Sequence, residues 1–283
     1  MTHTAISPRT PARPSTLGAL LKDWRAHRGM SQLVLALEAH VSQRHVSFLE
    51  SGRAAPSRDM IVRLAHALDL PLRARNELLT AAGFAPAYSE RSLNQSEMQP
   101  MREILTRILE HHEPYPAMVL DGSWNIVFRN EANRRIMTAC LDGFDPLKSA
   151  GAQPVNFVRL MFAHDGLRRR VRNWPQVATQ LLARVRREAR AYPGSPSERL
   201  YDELVATAGE WQGNEVTAVP LAPTIPLELE VRPNTLLRLT NTLTTFGTPQ
   251  DVSLQELRIE MAYPLDEWSR ELLAEWARAG EAS

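Results

Sequence analysis

The chain has 283 residues, of which 43% are hydrophobic and 23% charged, a length that favours two domains and a composition ordinary for globular proteins. Its apolar runs fall far short of the roughly 20 residues of a membrane span, its basic first residues lead into no apolar signal segment, and a lone cysteine, Cys140, excludes an internal disulfide, so a cytoplasmic protein is expected. The net charge of +1 hides a gradient: residues 17–86 carry nine Lys/Arg against six acids, and residues 197–283 carry six arginines against fifteen. Such asymmetry suits a chain that approaches a polyanion with one end, although solvated surface accounts for the basic end equally well.

Residues 1–14 are proline-rich and read as a disordered arm. Between 15 and 86 the apolar period becomes helical. Leu17, Leu20, Leu21 and Trp24 repeat behind the possible caps Ser15 and Thr16, and Gly29 closes that helix. Ser31 caps a second helix with Leu35, Ala36 and Ala39 inward. After the turn His40-Val41, Ser42 caps a third with Val46 and Leu49 inward. Pro56-Ser57 opens a fourth on Ile61, Leu64, Ala65 and Leu68, and a fifth runs from Pro71 to Gly83.

The spacing Ser31-Gln32, Leu35-Ala36, Val41-Ser42, Val46, Leu49-Glu50-Ser51-Gly52-Arg53, with Pro56 beyond, resembles the helix-turn-helix of the Cro/phage-repressor (XRE) family. The resemblance implies an all-α, five-helix, lambda repressor-like domain that binds a double-stranded DNA operator, normally as a homodimer. It also implies that Gln43, Arg44, Ser47 and Phe48 face the bases. Gln suits adenine and Arg suits guanine, each bidentately, while Phe48 fits a thymine methyl or else a partly exposed core position. Gln32 matches a phosphate-bracing place, and His45, Ser51, Arg53 and Arg58 are candidates for backbone contact. Two departures stand out. His40 occupies a turn position that usually carries Gly, which implies a strained positive φ. Leu33, Val34 and Leu37 replace usually polar residues, so they either dock on another surface or enlarge the core.

Residues 87–110 read as a polar linker followed by a connecting helix, Met101–Leu109, broken by Pro114 and Pro116. Residues 111–279 read as an α+β domain. Ala117–Leu120 and Trp124–Phe128 form a hairpin about Asp121-Gly122. Helices are expected at Asn130–Met137, Pro154–Phe162, Asn173–Ala191 and Ser197–Trp211, the last on Leu200, Leu204, Ala208 and Trp211. Strands at Leu227–Val231, Leu236–Phe246 and Leu257–Ala262 complete a five-stranded antiparallel sheet, and a last helix, Asp266–Ala279, bears Trp268, Leu272, Leu273 and Trp276.

The segments Leu120–Val127 with Asn130, Ala132 and Asn133, then Asn173-Trp174, then Thr248–Leu257 leading to Glu260 and Pro264, resemble the MmyB-like ligand-binding domain. That family implies a PAS-like pocket for a small apolar ligand, fatty-acid-like molecules first among the candidates. The expected lining is Phe128, Phe157, Met161, Phe162, Trp174, Leu181, Leu237, Leu239 and Leu243, with core packing the plainer reading of each. Arg159, His164, Arg168 and Arg238 are candidates to anchor a carboxylate, with a surface residue the plainer reading of each. The arginine run Arg168, Arg169, Arg170, Arg172, Arg184, Arg186, Arg187 and Arg190 either touches flanking DNA or pairs with acids of the C-terminal third. No metal-ligand spacing, Gly-rich phosphate loop or Gly-x-Ser-x-Gly elbow occurs. His111-His112-Glu113 and His164-Asp165 are merely adjacent. Neither an enzyme nor a metal protein is expected. A protein whose C-terminal domain only dimerises or holds a protein partner is the competing reading.

Overall fold

The computed structural model describes residues 16–151, 153–207 and 224–281. The arm at 1–14, the cap Ser15 and the helix positions Ala208 and Trp211 lie outside them. The chain divides into two compact units, one reaching Ser89 and including Gln250–Val252, the other made of Glu90–Pro249 and Ser253–Ser283.

The first unit is five helices: α1 Leu17–His27, α2 Gln32–Glu38, α3 Gln43–Glu50, α4 Arg58–Ala67 and α5 Leu72–Ala81. Ser31, Ser42 and Ser57 cap α2, α3 and α4, each Oγ accepting from the amide three residues on, and each such cap contributes about 1 kcal/mol. Gly29 and Gly83 end α1 and α5 at positive φ. Leu21, Leu35, Val46, Leu49, Ile61 and Leu64 form the buried centre. Leu33, Val34 and Leu37 are exposed, so they do not enlarge that core.

The second unit begins with α6 Gln99–His111, then β1 Ala117–Leu120, β2 Ile126–Arg129, α7 Glu131–Cys140, α8 Pro146–Ser149, α9 Phe157–Phe162, α10 Trp174–Ala191 and α11 Pro196–Thr207. It closes with β3 Leu227–Arg232, β4 Thr235–Thr244, α12 Val252–Glu256, β5 Arg258–Pro264 and α13 Glu267–Glu281. The strands form one antiparallel sheet in the order β2-β1-β5-β4-β3. Strand alternation gives the sheet two apolar faces. Leu105 and Leu109 of α6 pack with Ala117, Val119 and Ile259 on one. The other carries Leu229, Leu237, Leu239 and Ala262 against α7, α10 and α13. The helix expected to connect the domains therefore contributes to the second unit's core.

The motif residues shape the fold. Asp121 Oδ1 accepts from the amides of Ser123 and Asn125, which builds the hairpin turn. Trp124, expected at the start of a strand, has φ of 67° instead and is fully buried. Asn130 Oδ1 accepts from the amides of Ala117 and Asn133 while its Nδ2 donates to Tyr115 O, joining β1 to α7. Asn173 Nδ2 donates to Pro226 O and its Oδ1 accepts from Glu228 N, fastening the start of α10 to β3. In α13, Leu272, Leu273 and Trp276 are buried, whereas Trp268 is exposed.

Candidate functional sites

The outward side of α3 is a short polar ledge on an apolar base. Val46 and Leu49 are completely buried, while Gln43 and Arg44 are exposed and Ser47 and Phe48 half-buried. The Arg44 guanidinium lies over the Phe48 ring at 5.1 Å, a cation–π contact that holds the long side chain along the helix. Phe48 is thus neither core nor fully free; it is the shelf beneath Arg44. Ser51, Arg53 and Arg58 are exposed beyond the end of α3, and His45 is half-buried, its Nε2 without a partner among the described residues. His40 takes φ of 53° in the turn, the strained conformation expected of it.

What fixes this ledge carries no local sequence signal, because its partners are 18 and 25 residues apart. Glu50 accepts from Arg25 Nε at 2.6 Å and Nη2 at 3.0 Å, and from Gln32 Nε2 at 2.8 Å. One carboxylate therefore ties α1, α2 and α3 together. Burial alone would raise the Glu50 pKa, but the Arg25 and Gln32 bonds outweigh it and hold the carboxyl below the ordinary range. Gln32, expected on a phosphate, spends one donor on Glu50 and keeps another. Gly18 sits where a Cβ would lie 2.5 Å from Glu50 O and 2.8 Å from Leu49 O, so α1 crosses the end of α3 at backbone contact.

The second unit holds two adjoining cavities on the α7/α10 face of the sheet. The inner one, about 60 Å³, is lined chiefly by apolar side chains, with Asn133 and Glu260 among them. The outer one, about 380 Å³, adds Val177, Gln180, Leu181, Arg184 and Arg187. Phe157, Met161, Leu227, Leu239, Asn241 and Glu260 line both. Of the expected lining, Phe157, Met161, Leu181 and Leu239 meet here. Leu237 lies in the core, where Phe162 and Trp174 stack edge to face at 4.9 Å. Phe128 packs on the opposite face of the sheet because it pairs with Val119. Leu243 is exposed near the end of β4.

None of the four expected anchors lines either cavity. Arg159 pairs with Glu203, Arg238 with Glu228, Arg168 lies over Trp174, and His164 is exposed. The arginine run is largely occupied: Arg169 and Arg170 hold Asp142, Arg172 holds Glu230, and Arg184 holds Glu260. Arg184 and Arg187 are the cavity residues that the sequence concealed, since nothing distinguishes them from the six other arginines of the run; Arg184 is half-buried and paired with Glu260, whereas Arg187 is exposed. Among the described residues no group of His, Cys, Asp and Glu could hold a metal ion, and no helix is long and apolar enough to cross a membrane.

The model of the MmyB-like transcription regulator ligand binding domain matches residues 101–275, well over half the chain. The chain belongs to that family. A helix-turn-helix model matches residues 21–74, covering α2 and α3 ahead of the MmyB-like domain. Both families are regulator domains rather than enzymes. No curated protein matches. Among solved structures, the restriction-modification controller protein C.AhdI from Aeromonas hydrophila is 31% identical, covering 22% of this chain and 94% of that one, with a TM-score of 0.21. The clp gene regulator ClgR from Corynebacterium glutamicum is 29% identical, covering 37% and 97%, with a TM-score of 0.22. An RNA-binding Light-Oxygen-Voltage receptor is 14% identical, covering 94% and 64%, with a TM-score of 0.28. These TM-scores are too low to carry an argument about the whole chain. The MmyB-like regulator thus joins a helix-turn-helix unit to an α+β ligand-binding unit.

Proposed function

We propose that the protein is a cytoplasmic, sequence-specific regulator that binds a double-stranded DNA operator as a homodimer and is modulated by a small apolar, fatty-acid-like ligand. The observation that carries the DNA reading is the exposed Arg44, stacked on Phe48, on a helix whose opposite side is wholly buried. In this reading Gln43, Arg44, Ser47 and Phe48 meet base edges in the major groove, and Gln32, His45, Ser51, Arg53 and Arg58 meet the backbone. Two copies read half-sites separated by about 34 Å or a multiple of it. Selection from a random DNA pool tests this directly: the wild type enriches one motif. Arg44→Ala abolishes the preference and keeps weak, salt-sensitive binding. Enrichment of the same motif by both proteins refutes the placement.

The PAS-like strand order and the adjoining cavities support the ligand reading. An acyl chain laid along Phe157, Met161 and Leu239 gains about 0.8 kcal/mol per buried methylene. The ligand alters operator affinity only insofar as it binds the DNA-competent and incompetent arrangements differently. A second reading, a C-terminal domain that only dimerises or holds a protein, draws on the exposed Trp268 and Leu265 near the start of α13. Mass spectrometry of natively purified protein separates them. A co-purified lipid supports the sensor, and its absence together with no thermal shift from fatty acids supports the second reading.

A further inference from the structure

Three charged side chains touch Trp124, and a fourth joins them through Arg184. The guanidiniums of Arg184 and Arg258 lie over its ring at 4.5 and 4.9 Å. Glu188 accepts from the indole Nε1 at 2.9 Å and pairs with Arg258 at 2.8 Å. Glu260, only 5% exposed, accepts from Arg184 Nη1 at 2.5 Å. The charges balance, but the hydrogen bonds do not. Among the described residues neither Arg184 Nη2 nor Arg258 Nη1, both buried, has an acceptor, and an unmet buried donor on a charged group is costly. The cluster is short of acceptors, and a carboxylate would supply two oxygens. Of this cluster, Arg184 and Glu260 also line the outer cavity, which opens onto the apolar walls of Phe157, Met161 and Leu239.

Resting on the ligand reading above, we propose that Arg184 anchors the carboxylate of the acyl ligand, and that Glu260 is the internal carboxylate it displaces. The Nη1–Nη2 edge of a guanidinium is a fork suited to bidentate carboxylate binding. Glu260 occupies one prong of it. A ligand carboxylate that takes Glu260's place has Nη1, and beside it the buried Nη2, for its two oxygens, its chain running inward along Phe157, Met161 and Leu239. Glu260, once released, is met by Arg258, whose guanidinium is close enough to feel its charge and has Nη1 to offer. The exchange undoes a tie between α10 and β5, so occupancy is felt by the sheet as well as by the pocket.

The test titrates the full chain with dodecanoate and with dodecan-1-ol, which has the same tail and no carboxylate. Arg184→Gln is expected to weaken dodecanoate by about 30-fold or more and dodecanol by less than about 3-fold. Glu260→Gln removes the competitor while preserving shape, and is expected to tighten dodecanoate by about 3- to 10-fold and leave dodecanol unchanged. Equal dodecanoate affinity in wild type and folded Arg184→Gln overturns the anchor and leaves the cavity reading standing. If Arg184→Gln does not fold, Glu260→Gln decides, and no gain for dodecanoate overturns the proposal. Wild-type protein that binds neither probe overturns the cavity reading and the anchor with it.

Discussion

Replacing Glu50 by Gln removes one charge from a buried triangle and preserves its shape. The carboxylate is 4% exposed, Arg25 is 14% exposed, and three donors reach the two oxygens at 2.6, 3.0 and 2.8 Å. An amide retains one acceptor and turns an NH2 toward groups that also donate. Breaking one side of a buried ion pair costs about 3–5 kcal/mol. The lower end applies here, about 3 kcal/mol, because Arg25 keeps its bond from Nη1 to Met30 O at 2.8 Å. At RT of about 0.59 kcal/mol that is roughly a hundredfold rise in opening. Hydrogen-exchange mass spectrometry at pH 7 is expected to show peptides from α1 and α3 exchanging about 100-fold faster, with β4 and β5 as internal controls. Acceleration below about 3-fold would mean that the triangle does not hold the helices. The pH dependence has a definite sign. Because the folded carboxyl is held below its ordinary value near 4.5, its stabilisation is complete above that value. It is lost as pH falls through the lower folded value, so wild type and variant converge in acid.

Gly18→Ala places a Cβ 2.5 Å from Glu50 O. The helix-propensity gain of about 1 kcal/mol is outweighed by pushing α1 off α3, and a net loss of about 2 kcal/mol in thermal or urea unfolding is expected. A neutral or higher melting temperature would refute the close approach. His40→Gly relieves the positive φ of 53° and should stabilise by up to about 1 kcal/mol, offset in part by the unfolded-state entropy of glycine; destabilisation counts against the strain. Cys140 is completely buried and burial pushes its thiol up to about 12, so a thiol reagent at pH 8 should label it only after denaturation. Rapid labelling of native protein would contradict its burial.

The first unit was readable in detail because its signals are local. Ser31, Ser42 and Ser57 satisfy amides three residues away, Gly29 and Gly83 stop helices where they stand, and Val46 and Leu49 turn inward on a 3.6-residue period. In the second unit alternation marks β4 and an unbroken apolar run marks β1, but neither pattern says which face each residue occupies. Phe128 reads as apolar lining, yet its pairing with Val119 sends it to the α6 face. Leu243 keeps the alternation of Leu237 and Leu239 but is exposed. Trp124 lies in an apolar run that looks like strand, yet the Asp121 turn gives it positive φ. Arg159, Arg168 and Arg238 look like free cations in sequence, and each has a partner in space.

Caps, periods and breakers act over three or four residues, so the order of helices and strands and the outward face of α3 were determined by the sequence itself. Arg184 and Glu260 are 76 residues apart, and Arg25 and Glu50 are 25 apart. Their pairing depends on strand register and helix crossing, which no local pattern encodes. A shift of one residue in register would turn Glu260 to the other face of β5, because alternate side chains point oppositely. Which arginines meet the cavity was therefore a matter for tertiary structure alone.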